Sequence, residues 1–548
     1  MGEERINLPI PCGSPGPARI GEEKKERRAL DTSKETLGFG AVERHGEGAD
    51  FRALVTGPGE EHVDRVELHR PAVDPRSGRS RLRLAHLTDF QFLDPGSPTR
   101  FEFVNKLVGL ATMEEFFPGH RSQELLVPFA VEAAIRYVNE LDQEGGRRFD
   151  MCLISGDSVD NSQGNELQAL VAILEGGDFS LEDYFGAYYG VQSAAWEDDF
   201  YWHPDPVADL PKRMLGYPHA EGLLDAVRFR HSFEGLRVPW LMANGNHEVL
   251  IQGMGRLNEA VAGFAIGGAK PRGVDVEATL TDLPQLASAF EADPQSLFSR
   301  AFFEPIDANP RRAPLTRDQQ AAILAGAGGD PIGHGLAGTA LQDREGLYFS
   351  HLDAASQTLF VNLDTAKRGG GAEGFLGRGQ LAWLEGELAA MSEADPEVLV
   401  VLGAHHGPQE IDYSHPGCVS REELLAAVHR HGQVALWICG HTHENLIEAF
   451  ADPERPGRGF FSVTTSSIMD WPCALREIEV FEMADGSLMA ETTIHHYSYS
   501  ADPHDLSVQG LAGWHLRLAA NSPYVGLGRR QEGRPRDRNA RLWLGPRA

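Results

Sequence analysis

The sequence predicts an α/β fold, and three observations lead to that prediction. Short apolar runs recur along the chain, as expected of strands that are buried on both faces of a sheet. Between these runs lie stretches in which apolar residues recur at helical spacing. Polar clusters follow five of the runs directly, and the loops after the strands of an α/β sheet converge on one crevice.

The five apolar runs are the predicted strands. With the polar residues that follow them, they are Leu82 to Leu87 before Thr88-Asp89-Phe90-Gln91, Met151 to Ile154 before Ser155-Gly156-Asp157-Ser158-Val159-Asp160-Asn161, Val238 to Ala243 before Asn244-Gly245-Asn246-His247-Glu248, Val398 to Leu402 before Gly403-Ala404-His405-His406-Gly407, and Val434 to Cys439 before Gly440-His441-Thr442-His443. Each polar cluster alone is typical of a turn or a surface loop. Five in succession, each after an apolar run, indicate a shared site.

Two helices and one hairpin complete the predicted elements. Helical spacing covers Val127 to Leu141 and Gly379 to Leu388. A strand-rich stretch from Gly459 to Tyr499 carries a hairpin signal at Asp485-Gly486.

One large catalytic domain is predicted over residues 81–500. It carries two insertions, at about 164–235 and 253–345, and insertions of this length at the active-site end usually shape substrate access. A polar, strand-containing extension precedes it at residues 1–80, and a C-terminal tail follows at residues 501–548.

Composition limits the classes of partner. Lys and Arg total 50 against 80 Asp and Glu, and the net charge of −30 makes nucleic acid an unlikely partner because polyanions are repelled. No run approaches the roughly 18 apolar residues of a membrane span, so no membrane association is expected. The five cysteines are scattered without a CxxC pair, which favours a reducing compartment and a cytoplasmic location.

The polar clusters contain the side chains that a pair of metal ions requires. Two divalent ions a few ångströms apart need a shared anionic ligand with carboxylate, amide and imidazole donors around it. The residues that offer these groups are Asp89, Asp157, Asn246, His405, His441 and His443.

The order of these clusters resembles the calcineurin-like metallophosphoesterase superfamily, whose pattern is D-x-H, G-D-x-x-D, G-N-H-E, a later His, and G-H-x-H. The resemblance covers Asp89 to His443. Leu363-Asp364-Thr365, followed by Gln380-Leu381-Ala382-Trp383-Leu384, resembles the cyclic-nucleotide-phosphodiesterase-like branch, and Arg536-Asp537-Arg538-Asn539 resembles a bacterial subgroup. The resemblance implies a four-layer αββα sandwich.

The resemblance also implies a role for each residue. Asp157 would bridge both ions, Asp89 and His443 would complete the first site, and Asn246, His405 and His441 would complete the second. His405 is favoured over His406, because the family's ligand is the first His of such a pair. His247 would protonate the leaving oxygen or stabilise the transition state, and Asp160 would orient it.

The chain departs from the family's first motif at Gln91, where the family usually has His. A glutamine oxygen can still coordinate, and oxygen donors suit Mn²⁺ or Mg²⁺. A weaker or vacant first site is the alternative. Mn²⁺ is the expected ion, with Fe, Zn or Mg as the other candidates. Asn161 stands where protein phosphatases carry a phosphate-binding Arg, which disfavours a phosphoprotein substrate.

The predicted function is hydrolysis of a small phosphomonoester or phosphodiester by a metal-bridging hydroxide. One alternative is a nuclease-like phosphodiesterase, which would need a basic groove. Another is a non-catalytic metal-binding scaffold, in which Gln91 marks a decayed first site. His247 argues against the scaffold, since it is not needed merely to hold metal.

Overall fold

The computed structural model of the chain describes residues 26–27, 30–43, 50–107, 118–144, 146–275, 288, 290–298, 301–339, 341, 344–525 and 531–546. The first 25 residues of the predicted N-terminal extension lie outside these ranges. Within them, no helix combines the length and the apolar character that crossing a membrane requires.

The strands, in chain order, are β1 (Glu26–Arg27), β2 (Leu30–Asp31), β3 (Glu35–Val42), β4 (Arg52–Pro58), β5 (Val63–Arg65), β6 (Arg79–Leu87), β7 (Met151–Ile154), β8 (Gly177–Phe179), β9 (His231–Phe233), β10 (Trp240–Met242), β11 (Ala269–Val274), β12 (Ala301–Pro305), β13 (Phe349–Asp353), β14 (Thr358–Asn362), β15 (Leu399–Gly403), β16 (Val434–Cys439), β17 (Leu446–Ala451), β18 (Gly459–Thr464), β19 (Ala474–Glu482), β20 (Leu488–His496), β21 (Tyr499–Ser500) and β22 (Ala540–Leu544).

The α-helices are α1 (Val127–Glu144), α2 (Gly164–Glu175), α3 (Leu181–Phe185), α4 (Leu210–Leu215), α5 (Leu223–Arg228), α6 (Glu259–Ala265), α7 (Gln295–Phe298), α8 (Arg317–Gly326), α9 (Arg378–Ala394), α10 (Arg421–Arg430), α11 (Val508–Ala520) and α12 (Pro535–Arg538). Short 3-10 helices lie at Pro75–Ser77, Glu102–Leu107, Glu124–Leu126, Ala194–Trp196, Pro310–Arg312 and Ile332–Gly335.

Three parallel neighbours form one end of an eight-stranded sheet. Its strand order is β10-β7-β6-β19-β20-β22-β5, and β2 pairs with β20 beside this path. β10, β7 and β6 run in the same direction, whereas β19 runs antiparallel to β6. The carboxyl ends of β6, β7 and β10 therefore meet at one edge of the sheet.

A second, six-stranded sheet repeats this arrangement with the order β13-β14-β15-β16-β18-β17. β14, β15, β16 and β18 are parallel neighbours. Gly403 of β15 pairs with Ile438 of β16. The loops that begin with Ala404 and Gly440 therefore leave the sheet side by side.

Side chains alternate between the two faces of the six-stranded sheet. Phe360 and Val401 point into a large buried cluster that also holds Ile478 of the eight-stranded sheet. Their chain neighbours Val361 and Val400 point the other way, into a cluster with residues of α9 and α10. One core thus contains side chains of both sheets, and α1, α2 and α11 contribute to it as well.

The predicted α/β class is confirmed. The five apolar runs fall on β6, β7, β10, β15 and β16, and the two predicted helices are α1 and α9. Both helices extend beyond their predicted ends. Most of the added residues are exposed or half-buried, so the sequence shows no apolar stripe there. The hairpin signal at Asp485-Gly486 joins β19 to β20, with Gly486 at φ +81°.

The two chain ends contribute to the eight-stranded sheet. β5, from the predicted extension, pairs in parallel with β22, from the predicted tail, and β22 also pairs with β20. The Arg65 guanidinium lies 2.9 Å from the Asp537 carboxylate behind this pairing. Helix α11, also within the predicted tail, is largely buried. The two predicted insertions hold α2 to α5 with β8 and β9, and α6 to α8 with β11 and β12.

Candidate metal centre

The loops after β6, β7, β10, β15 and β16 carry the side chains that the sequence analysis selects. His405 Nε2 lies 3.0 Å from Asp157 Oδ2 and 4.0 Å from Asp89 Oδ1. His443 Nε2 lies 3.2 Å from Asp89 Oδ1. The rings of His405 and His441 have centroids 5.2 Å apart. Residues separated by more than three hundred positions in the chain therefore meet at one place.

Asn246 lies at the same place because Gly245 and Gly253 allow the backbone of its loop to approach the other groups closely. A Cβ at Gly245 would lie 2.2 Å from Asp157 Oδ1 and 2.8 Å from the His405 ring, so this backbone must carry no side chain. A Cβ at Gly253 would lie 2.5 Å from the Asn246 amide nitrogen. The backbone of this loop thus approaches the carboxylate and imidazole groups closely. We call the whole group, Asp89, Gln91, Asp157, Asn246, His405, His441 and His443, the histidine–carboxylate cluster.

The backbone is strained at most positions of the cluster. Left-handed φ values occur at Asp89 (53°), Gln91 (44°), Asp157 (47°), His441 (74°) and His443 (56°). A non-glycine residue in this region costs on the order of 1–3 kcal/mol, and such residues concentrate at functional sites. Hydrogen bonds between loops hold the geometry, for example from the Gln91 N–H to the Asp157 carbonyl at 2.8 Å.

Two buried acceptor atoms in the cluster, Gln91 Oε1 and Asn246 Oδ1, have no hydrogen-bond partner among the described residues. Asp89 Oδ1 and His405 Nε2 are also buried without a well-formed hydrogen bond, and their ion-pair contacts are His443 Nε2 at 3.2 Å and Asp157 Oδ2 at 3.0 Å. The orientation of the Asn246 amide is fixed, because its nitrogen donates to the Gly253 carbonyl at 3.0 Å. Buried polar atoms are normally paired, so unpaired ones require an explanation. Carboxylate oxygens, amide oxygens and imidazole nitrogens are common ligands of divalent cations, so these atoms fit such an ion.

Hydrogen bonds on the far side of each ring orient the histidines. His405 donates through Nδ1 to the Ser155 carbonyl at 2.9 Å, which leaves Nε2 facing Asp157. His443 Nδ1 lies 2.8 Å from Asp470 Oδ2, which leaves Nε2 facing Asp89. Metal-binding histidines are held in this way in proteins.

His406 lies beside His405 and His441, and the three could share an ion by distance alone. However, both of its ring nitrogens have partners in the protein. Nδ1 lies 2.9 Å from the Thr365 hydroxyl, and Nε2 lies 2.9 Å from the Ala372 carbonyl. Both ring nitrogens of His406 are therefore used within the protein, whereas His405 Nε2 faces Asp157.

Burial and charge act against each other in the cluster. Burial raises the pKa of Asp157, but His405 and His247 outweigh it and bring that pKa well below its usual range. Burial lowers the pKa of His405, whereas the Asp157 charge raises it, and the net pKa is about 9. His406 has no carboxylate partner, so burial and the charge of His405 lower its pKa to about 3. Attraction between these imidazole and carboxylate groups thus stabilises the cluster.

His247 lies at the margin of the cluster. Its Nδ1 is 2.9 Å from the Asp160 carbonyl oxygen and 3.4 Å from Asp160 Oδ1. The backbone of Asp160 therefore holds the ring more closely than the side chain does. On the other side, Nε2 lies 3.7 Å from Asp157 Oδ2 and 3.2 Å from the Gln91 amide nitrogen. If Nε2 carried a proton, the Gln91 amide would turn its oxygen toward it.

Three supporting residues carry no role in the sequence analysis. Glu248 accepts hydrogen bonds from the backbone N–H groups of Asp157, Ser158, Val159 and Gly245, and so ties the β7 loop to the β10 loop. The sequence could have singled out Glu248, because it is the last residue of the G-N-H-E motif. Asp470 holds His443, and Arg100 pairs with the Asp160 carboxylate. Neither of these two lies in a motif.

Comparisons with known proteins give little further information. No protein-family model matches the chain, and no curated protein matches it. Among solved structures, a dimetal phosphatase from Danio rerio is similar, with 13% sequence identity and a TM-score of 0.33. That match covers 76% of this chain and 99% of the other. A likeness of this degree does not establish a shared activity.

Proposed function

We propose that this chain is a metal-dependent phosphoesterase of the calcineurin-like type, in the cyclic-nucleotide-phosphodiesterase-like branch. It would bind two divalent ions and hydrolyse a small phosphomonoester or phosphodiester. The observation that carries the proposal is the set of buried carboxylate, amide and imidazole groups at Asp89, Asn246 and His405 around the Asp157 carboxylate, in which Asn246 Oδ1 has no hydrogen-bond partner among the described residues. Gln91 Oε1 would join this set if its amide faces the ion rather than His247.

The distances favour a particular division of the ligands. Asp157 would lie between the ions. Asp89, with His443 Nε2 3.2 Å from it, would hold one ion together with Gln91. His405, with Nε2 3.0 Å from Asp157, would hold the other together with Asn246 and His441. The oxygen-rich donor set favours Mn²⁺, with Fe, Zn or Mg as the alternatives.

Bound ions of this kind act as Lewis acids, lower the pKa of bound water and orient phosphoryl oxygens for in-line attack. The protein's own part is to position groups. His247 Nε2 faces the cluster 3.7 Å from Asp157, where it would deliver a proton to the leaving oxygen. The Asp160 carbonyl holds Nδ1, so the ring cannot turn away. Arg100 in turn fixes the Asp160 carboxylate.

The finer assignments of the sequence analysis belong to the same proposal. They are a four-layer αββα sandwich, a catalytic domain at about 81–500, its two insertions at about 164–235 and 253–345, and a cytoplasmic location. The shared core of the two sheets supports the sandwich. A chain of net charge −30 repels a polyanion such as nucleic acid. A small phosphorylated substrate fits better, because the local positive charge of the bound ions would be enough to attract it.

The test combines metal analysis with a substrate screen. Chromogenic phosphomonoesters and phosphodiesters are offered to the wild-type chain with Mn²⁺, and to an Asp157→Asn variant. Substitution of a residue that only orients a metal ligand lowers activity by up to about 100-fold. Loss of the shared carboxylate itself should therefore lower the rate of hydrolysis by more than about 100-fold. The metal content should fall from two ions per chain to one or none.

Asp209→Asn is the matched control, because Asp209 is also a fully buried carboxylate but caps helix α4 in the first insertion. This variant should keep its metal and its activity. A wild-type chain that binds metal but is inert on every ester would instead favour the metal-binding scaffold. Activity confined to polynucleotides would favour the nuclease-like alternative.

A further inference from the structure

Arg100 lies among three buried carboxylates close to His247. Its guanidinium pairs with Asp160, lies 2.8 Å from Glu124 Oε2, and has its Nε 3.4 Å from Glu102 Oε1. The side chains of Arg100 and the three carboxylates are all at most 4% exposed. Charge-assisted hydrogen bonds of this kind have N–O distances of about 2.7–2.9 Å, so Arg100 binds Glu102 the least closely of the three.

Lys270 of strand β11 supplies most of the positive charge beside Glu102. Its Nζ lies 2.7 Å from Glu102 Oε1 and also donates to the backbone carbonyls of Pro95 and Tyr189. Three acceptors use all three hydrogens of an ammonium group, so Lys270 carries its charge. The side chain is fully buried, and Nζ lies 5.3 Å from the centroid of the Trp196 ring.

These contacts of Lys270 connect three parts of the chain. Tyr189 and Trp196 belong to the first predicted insertion, and Lys270 belongs to the second. Pro95 and Glu102 lie in the segment that follows β6. Both insertions therefore meet beside the ion pairs that support His247.

We propose that Lys270 is a positioning residue for His247. It acts by keeping Arg100 paired with Asp160. Without Lys270, Glu102 would be a buried carboxylate with Arg100 Nε 3.4 Å away, and its Oε2 has no hydrogen-bond partner among the described residues. Because an unpaired buried charge is costly, Arg100 should turn toward Glu102 and release Asp160.

The release of Asp160 would loosen the ring of His247. Nδ1 of that ring lies 2.9 Å from the Asp160 carbonyl oxygen and 3.4 Å from Asp160 Oδ1, so both groups of Asp160 orient it. This inference rests on the proposed function, in which His247 protonates the leaving oxygen. A basic leaving group needs that proton, and a misplacement of about 1 Å can cost about 100-fold in rate.

Lys270→Met tests the proposal with a pair of esters, the phenyl and the 4-nitrophenyl ester of the class that the wild-type chain hydrolyses. The phenyl ester has the more basic leaving group. Its kcat should fall at least about 10-fold, and that of the 4-nitrophenyl ester less than about threefold, with KM nearly unchanged. Metal content should stay the same, because Lys270 donates to residues outside the histidine–carboxylate cluster. An equal fall for both esters, or no fall, would overturn the proposal.

A double variant, Lys270→Met with Glu102→Gln, separates positioning from a general loss of stability. It removes the carboxylate that would attract Arg100, so the wild-type response to the leaving group should return. If the role of Lys270 were only structural, the second substitution would bring no recovery, and that result would contradict the proposal. Lys270→Gln, whose amide still donates to Glu102 without a charge, replaces Lys270→Met with the same expected outcomes if that variant does not fold.

Lys212→Met is the matched control. Lys212 is also a buried lysine, and it pairs with Asp209 at 2.8 Å and donates to three backbone carbonyls within the first insertion. Its loss should lower the free energy of unfolding but leave the ratio of the two kcat values unchanged. The same change of ratio in Lys212→Met and Lys270→Met would contradict the proposal.

Crystal structures of the variants separate a failure of this inference from a failure of the proposed function. If the wild-type chain hydrolyses no ester, the proposed function fails, but the side-chain positions still test the inference. In Lys270→Met, Arg100 should pair with Glu102. The ring of His247 should have moved from the Asp160 carbonyl, and the double variant should restore both contacts. Arg100 still paired with Asp160 in Lys270→Met would overturn the inference.

Discussion

Two buried polar regions of this molecule use hydrogen bonds in opposite ways. In the histidine–carboxylate cluster, Gln91 Oε1 and Asn246 Oδ1 are buried without a hydrogen-bond partner among the described residues. The other region, which we call the terminal junction, is where the two chain ends meet, and it comprises Thr32, Arg65, Arg476, Asp537 and Asn539. There Arg476 is fully buried, and its guanidinium donates to two hydroxyls, three carbonyls and one amide oxygen.

The difference separates a structural polar site from a functional one. In the terminal junction, buried polar groups form hydrogen bonds with one another. For example, the Asn539 side-chain oxygen accepts hydrogen bonds from the Thr32 hydroxyl at 2.9 Å and the Ile494 N–H at 3.0 Å. In the cluster the folded chain leaves acceptors open and holds strained φ angles around them. Changes in the junction should therefore destabilise the fold, and changes in the cluster should weaken the binding of ions.

The largest effect is expected at Arg476. Replacing it with Met leaves several buried acceptors without a donor, and removing one side of a buried network costs about 3–5 kcal/mol. Urea denaturation of Arg476→Met should show this loss in the free energy of unfolding. Metal bound per folded chain should stay the same.

Arg79→Met is the control for this prediction. Its side chain is 79% exposed in strand β6 and pairs with Glu482, so the free energy of unfolding should change by less than about 1 kcal/mol. Equal effects of the two substitutions would mean that the terminal junction contributes no more than an exposed ion pair.

A smaller effect is expected at Asp470, which lies outside the cluster and orients His443. In Asp470→Asn the ring loses the carboxylate that orients it, and such losses lower metal affinity by about 10–100-fold. Titration with Mn²⁺ against a competing chelator measures this change. Asp318→Asn, at a side chain that is 74% exposed, should leave the affinity unchanged. Unchanged affinity in Asp470→Asn would remove His443 from the proposed ligands.

The sequence predicts the middle of the molecule better than its ends. β7 and β16 are continuous apolar runs because they are buried on both faces, and such runs stand out in a sequence. β5 has three residues and β22 five, and β22 carries Arg541 among apolar neighbours. The position of these short strands is decided by partners distant in sequence, so local patterns do not reveal it.

The same contrast holds within the candidate site. The selected cluster residues follow predicted strands, so parallel topology brings those of each sheet to one edge, and the packing of the two sheets on a shared core brings the two edges together. Asp470 lies 27 positions after His443 and reaches it only because of the path of the loop after β18. Glu248 accepts hydrogen bonds from backbone N–H groups; its place in the G-N-H-E motif marks the residue but does not reveal these partners.

The smallest effect concerns the strained backbone and compares Gln91 with Gln357. Both residues have left-handed φ angles, 44° and 51°, but Gln357 lies on the surface in the turn before β14. Glycine relieves the strain at either position, so Gln91→Gly and Gln357→Gly should each raise the free energy of unfolding of the ion-free chain by about 0.5–1 kcal/mol. Only Gln91→Gly should also weaken Mn²⁺ binding, because only that side chain faces the cluster. If Gln91→Gly kept full affinity, the glutamine would serve His247 rather than an ion, and its strained backbone would need another explanation.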